Sequence, residues 1–333
     1  MGTSVNRSLR LIRRRLLASI PVLMIVVVLT FLLLEAAPGD AVDAYLLSIG
    51  GGDATVAENL RRAYGLDQSM TSRLWLYVTA LARLDLGWSV SFERPVLDMI
   101  AERLPNTLAL MGSATTLAFA LGSTLGIIAG SKPESIRDRM FSSISLIFYS
   151  IPGFWLGLVL SLVFAVHLRW LPTSGIETIA SGKSGFDRLL DIGRHLVLPV
   201  GALALIYTAL FLRVMRAGMA EAWKLDFVLF ARAKGLSRTR IVLRHVARNA
   251  TLPLVTMLGL QAATMLGGSV VIESIFAIPG FGRLAQEAVS GRDAPLLMGI
   301  ILVSAVLVIL VNLLVDLVQA ALDPRIGASE ASS

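Results

Sequence analysis

The sequence predicts an all-α integral membrane protein of six transmembrane helices, and three observations lead there. Of 333 residues, 55% are hydrophobic and only 16% charged, against roughly 45–50% and about 25% for an ordinary soluble domain. The apolar residues gather into nearly uncharged blocks instead of amphipathic stripes, and each block has about the 20 residues a helix needs to cross some 30 Å of hydrocarbon. Lysine and arginine, finally, concentrate in alternate connections between the blocks, as cytoplasmic loops require.

The blocks place spans at 16–34, 108–130, 144–166, 196–215, 253–272 and 296–318. The first, preceded by Arg13, Arg14 and Arg15, is longer than a secretory h-region and lacks an A-x-A site, so it reads as a retained anchor. An even number of spans puts both termini on one side. With the N-terminus inside, 18 basic residues fall inside and 12 outside, and 18 against 6 when the long segment 35–107 is set aside. The termini are therefore expected in the cytoplasm.

Residues 35–107 carry 6 basic and 10 acidic side chains and several glycine breakers, and predict an extracytoplasmic subdomain or short helices on the membrane surface. Residues 168–195, rich in Gly and Ser, read as a flexible outer loop, and the tail 319–333 as disordered near its end. Gly122, Gly126 and Gly130 recur every four residues and share one helix face, which suits a tight packing seam or a substrate contact. Pro152 with Gly153 and Gly157, and Pro199, mark kinks for packing or for lining a pathway.

The inner loop 216–252 is the most informative segment. From Glu221 onward it reads as a helix with Phe227, Phe230, Ala231 and Lys234 clustered at three- and four-residue spacing, stopped by Gly235. A second helix starts from Ser237 as N-cap, with Arg240, Arg244 and Arg248 along one face. Two readings are open: an amphipathic helix held by anionic lipid headgroups, or a docking element anchored by Phe227 and Phe230 in a groove of a soluble partner.

This stretch, Asp226-Phe227-Val228 through Ala231-Arg232-Ala233-Lys234-Gly235-Leu236, with Arg244-His245, Arg248-Asn249 and Leu252-Pro253, resembles the cytoplasmic loop of the dipeptide and oligopeptide permeases, a family of ATP-binding-cassette (ABC) importer membrane subunits. Pro38-Gly39-Asp40, Asp85-Leu86-Gly87, Pro105-Asn106-Thr107, Ser150-Ile151-Pro152-Gly153-Phe154-Trp155, Leu171-Pro172, His195-Leu196-Val197-Leu198-Pro199, Pro279-Gly280-Phe281-Gly282, Asn312-Leu313-Leu314-Val315-Asp316 and Asp323-Pro324-Arg325 follow the family's order over nearly the whole chain. Of the generic E-A-A…G importer motif only Ala231 and Gly235 are kept, with Leu229 and Phe230 in the other places, and Phe227 stands where the subfamily usually has tyrosine.

The resemblance implies a type I ABC importer permease bundle in a bacterial inner membrane, with residues 108–318 as permease core and 221–235 as a coupling helix. It further implies a second homologous permease, two ABC ATPase subunits that hold ATP and Mg, a periplasmic substrate-binding protein, and a peptide or related small solute as cargo. Glu221, Asp226, Phe227, Phe230, Ala231, Arg232, Ala233, Lys234 and Gly235 are the coupling candidates. Glu273, Pro279, Gly280, Phe281 and Gly282 are candidates for an outer gate or receptor contact, though Glu273 also suits a helix cap.

Other classes fit poorly. Without cysteine and with three histidines, thiolate metal sites are excluded and a zinc site is disfavoured; no cofactor is expected on this chain. Ser181-Gly182-Lys183-Ser184 imitates the end of a phosphate loop, but Glu177 occupies the place of its first glycine. Enzymatic hydrolysis is therefore assigned elsewhere. Scattered basic residues without interleaved aromatics argue against nucleic acid. An ion-coupled carrier would need ionisable residues in mid-membrane, and the spans hold almost none. A non-transport assembly protein or sensor would need a large soluble domain, for which no segment has the composition.

Overall fold

The structure, a computed structural model, describes residues 2–36, 42, 46, 54–63 and 67–322, with the side chains of 2–8, 54, 63, 262, 263, 265–268 and 322 excepted. Pro38-Gly39-Asp40, the glycines at 50–52, Gly65 and the tail from Asp323 lie outside the described residues. The chain divides into two compact units, Met1–Thr107 with Pro279–Leu310, and Leu108–Ile278 with Val311–Ser333.

In the first unit, α1 (Gly2–Glu35) carries the first expected span. Short helices α2 (Ala54–Ala63) and α3 (Met70–Ala82) follow, and Arg73 of α3 pairs with Glu35 at the end of α1 at 2.9 Å. A two-residue antiparallel hairpin, β1 (Trp88–Ser89) with β2 (Arg94–Pro95), leads into α4 (Val96–Gly130). After α11 (Phe281–Ser290), Asp293 immediately precedes α12 (Ala294–Leu322). That carboxylate is fully buried and accepts bonds from the Ser89 hydroxyl (2.6 Å), the Ser91 amide (2.9 Å) and the Leu296 amide (3.1 Å). It thus caps α12 and fastens the hairpin to it. Leu86, Val96, Met99, Phe281, Leu284 and Leu296 form the core beneath.

The second unit is built on α7 (Gly185–Ala222). Buried over 61% of its apolar stretch, against 11% for α1, it is the central helix. Around it lie α5 (Ile136–Ser150), α6 (Gly153–Leu160), α8 (Asp226–Ala233), α9 (Arg238–Ile241) and α10 (Ala247–Ile275). α6 runs on as π-helix through Ser161–His167 and α9 through Val242–Val246. The glycine row of α4 meets α7: a Cβ on Gly122, Gly126 or Gly130 would lie 2.5, 2.6 or 2.8 Å from the Cβ of Phe211, Met215 or Met219. Of the two readings, the packing seam holds, because no space is left for a ligand.

Several expectations shift. The helix around the span 108–130 starts twelve residues earlier, at Val96, since hydropathy marks the lipid-matched part and not where backbone bonding stops. The span 144–166 is not kinked but broken: α5 and α6 meet at 96°. Ile151, restricted by the following proline, is extended (ψ 129°), and Pro152 caps α6 without offering a backbone N–H. Pro199, by contrast, lies inside uninterrupted α7. The outer loop expected over 168–195 is shorter, because α7 already starts at Gly185, and it is tied down to that helix. Asp191, 6% exposed, accepts bonds from the Thr178 amide and hydroxyl and from Lys183. Among the described residues, four helices are long and apolar enough to cross a membrane, or five if the α5–α6 pair is one span; α10 includes residues 253–272 but is not one of these.

Candidate functional site

The loop after α7 folds as a short helix because of how it ends. The Gly235 amide bonds to the Arg232 carbonyl (2.9 Å) and the Leu236 amide to the Ala231 carbonyl (3.2 Å), the paired reversal of a Schellman motif. Gly235 supplies the required left-handed backbone, φ +72°. Ser237 then takes the N-cap position of α9 with extended backbone but without the expected side-chain bond.

α8 has two faces. Val228 and Ala231 are buried, 3% and 5% exposed, against a core formed by Met215, Met219, Ile241 and Val246. On the opposite side Leu229 and Phe230 are 69% and 65% exposed, with Asp226, Arg232, Ala233, Lys234 and Gly235 also open to the surroundings. The two phenylalanines therefore separate: Phe230 points out, while Phe227 packs inward with its ring 6.4 Å from His245. Glu221 belongs to the end of α7, where it pairs with Lys224 at 3.1 Å on the surface. Arg240, Arg244 and Arg248 are all exposed.

Two contacts that spacing alone does not reveal hold this element. Trp223 Nε1 donates to the Gly130 carbonyl (2.8 Å), and Arg238 Nη2 donates to the Ser131 carbonyl (3.0 Å), so the orphan carbonyls at the end of α4 are capped from the loop. The guanidinium groups of Arg232 and Arg238 lie 5.5 and 5.7 Å from the Trp223 ring centre, within cation–π range. Nearby, Arg216 of α7 grips Asp138 of α5 through Nε and through Nη2 at 2.9 Å; Asp138 is 1% exposed. The only sequence cue for these was a tryptophan and an aspartate in the connections between apolar blocks.

The outer candidates sit inward. Glu273 is fully buried near the end of α10, its backbone carbonyl accepting from the Ile278 amide (2.8 Å). In the other unit, Phe281 is 3% exposed, Gly280 and Gly282 are buried and Pro279 is half-buried. Asn106 Nδ2 donates to the Pro279 carbonyl (2.7 Å), and the Phe281 amide donates to Thr107 Oγ1 (2.7 Å). Two motif fragments far apart in sequence thus make one bonded turn. Arg188, in the first turn of α7, donates to Glu177 on the loop before it through Nε and Nη2, at 2.6 and 3.1 Å, and holds that carboxyl below the usual carboxylate range. At the α5–α6 bend a cavity of about 610 Å³ is lined by Leu146, Ile147, Ile151, Pro152, Phe154 and Trp155.

Residues 122–328 match the family described as binding-protein-dependent transport system inner membrane component, and residues 8–111 match the family of its N-terminal region. The chain is 40% identical over 313 residues to the glutathione transport system permease protein GsiC of Escherichia coli O6:H1, covering 94% of this chain and 97% of that protein. It is 37% identical over 315 residues to the oligopeptide transport system permease protein AppB of Bacillus subtilis, covering 94% and 98%. A chain of the inward-facing MetNI methionine ABC transporter is similar in fold, with a TM-score of 0.54 at 19% identity over 68% of this chain and 97% of that one. Matched to the family over more than half its length, and to these permeases over 94% of it, the chain belongs to the binding-protein-dependent transport system inner membrane components.

Proposed function

We propose that the chain is the permease subunit of an ABC importer that moves peptides or related small solutes across a bacterial inner membrane by alternating access. Relatives named for oligopeptide and glutathione transport support the cargo class. Six spans are inferred by counting α5–α6 as one and adding α10, with both termini in the cytoplasm, residues 35–107 outside and 319–333 as inner tail. A homologous permease, two ATPase subunits and a periplasmic binding protein complete the machine; ATP and Mg sit on the ATPases, and this chain performs no catalysis and binds no cofactor.

The observation that carries this reading is α8, with Leu229 and Phe230 exposed on a helix whose opposite face, Val228 and Ala231, is packed into the chain. An apolar ridge flanked by Asp226, Arg232 and Lys234 fits a groove in a soluble partner, since aromatic anchors concentrate interface energy. Glu273 and the turn Pro279–Gly282 are assigned to the outer gate, acting through a fixed backbone more than through exposed side chains. Phe230→Glu tests the docking: ATPase subunits should no longer co-purify, while the permease still inserts. Full retention of the ATPases would refute it.

A further inference from the structure

We infer that Trp223 and Arg238 are positioning residues that carry the movement of α8 into the end of α4, so that α8 and the cytoplasmic end of α4 travel as one body. The inference rests on the docking reading of α8 and adds the path that motion takes after docking. A push on Leu229 and Phe230 reaches α8 first. Its Arg232 lies over the Trp223 ring, and Trp223 is bonded to the last residue of α4. Arg238, just past Gly235, stacks on the same ring and bonds to the next carbonyl, that of Ser131. Two side chains from one loop thus bond to two consecutive carbonyls, at the last residue of α4 and the one after it, and a third, Arg232, lies on the indole they share.

Steric packing makes the contact transmit in both directions. Gly122, Gly126 and Gly130 leave α4 with no clearance against Phe211, Met215 and Met219, so its end cannot yield to a push without moving α7, whose last turn leads into Trp223. A simple end cap would need only one donor. Two donors on adjacent carbonyls, sharing one aromatic ring, fix orientation as well as distance.

Because the chain has no cysteine, nitroxide pairs can be introduced cleanly at Lys132 and at Leu225, the residue that opens α8 and is not among the coupling candidates; both are exposed. In the complete complex with its ATPases, the distance between these labels should be the same without nucleotide and with ADP–vanadate trapped. With Trp223→Phe and Arg238→Gln together, the ATPases should remain bound and a second, nucleotide-dependent distance should appear. A distance that changes with nucleotide in the unaltered clasp, or a double variant that behaves like it, would overturn the inference. Should the double variant fail to insert, Arg238→Gln alone decides by the same readout. Loss of docking shows separately, as ATPase subunits that no longer co-purify with the labelled but otherwise unaltered chain.

Discussion

Gly126 has no room for a side chain because Met215 already fills the place: a Cβ there would lie 2.6 Å from the Met215 Cβ and 2.9 Å from the Leu212 carbonyl oxygen. Gly126→Ala should therefore destabilise the purified protein by about 1–3 kcal/mol, the usual cost of overpacking. Gly122→Ala should match it, since backbone is also met there, at the Thr208 carbonyl (2.9 Å). Gly130→Ala should cost least of the three, because its three nearest atoms are all Met219 side chain and none is backbone, though the Cβ at 2.8 Å still has to move. Gly112→Ala, which meets nothing within 4 Å, serves as control. Equal thermal unfolding midpoints for all four would contradict the seam.

Gly235→Val should reduce uptake while leaving membrane insertion intact. An added Cβ meets nothing within 4 Å, so the penalty is conformational: a left-handed backbone costs an L residue about 1–2 kcal/mol, and more for a β-branched one. Gly235→Asn should retain most uptake, since asparagine tolerates that conformation. Unaltered transport by the valine variant would count against this loop as the docking element.

Asp138→Asn should cost about 2–3 kcal/mol, less than the fully buried figure because the Arg216 side chain is 41% exposed. A double-mutant cycle with Arg216→Met measures the coupling. Additive single effects would mean the pair holds nothing.

Thr107→Val leaves the Phe281 amide without its acceptor, at a cost of about 1–3 kcal/mol for a buried unsatisfied donor. Hydrogen–deuterium exchange over residues 279–284 should accelerate, with α8 unchanged. Protection equal to the parent would show that Thr107 does not hold the turn.

Reporter fusions at residues 180 and 240 should read opposite sides of the membrane. If both report cytoplasm, the inside assignment of the 216–252 loop fails.

Much of the architecture was legible because lipid imposes a one-dimensional constraint: apolar length along the chain is enough to find α1, α4, α7 and α12. Where backbone geometry intervenes, the reading loosens. Ile151-Pro152 announces a kink, yet the size of the turn depends on how α5 and α6 pack, which no local window contains. In the loop, Gly235 is readable as a helix stop because its reason is local. The faces of α8 are not: over eight residues the three- and four-residue spacings admit more than one stripe, and tertiary packing chose Val228 with Ala231. Trp223 and Asp138 escaped notice because their partners stand 93 and 78 residues away.

The two rows that mesh between α4 and α7 both repeat every fourth residue. Sliding one helix by four residues, about 6 Å at the helical rise, would seat Gly122 on Met215 and Gly126 on Met219, so shape alone admits more than one alignment. What singles out the observed alignment is polar and lies at the end of the row, where the indole of Trp223 meets the Gly130 carbonyl. The interlock behaves like a vernier scale whose zero mark is set by that indole together with the Arg238 bond to the Ser131 carbonyl.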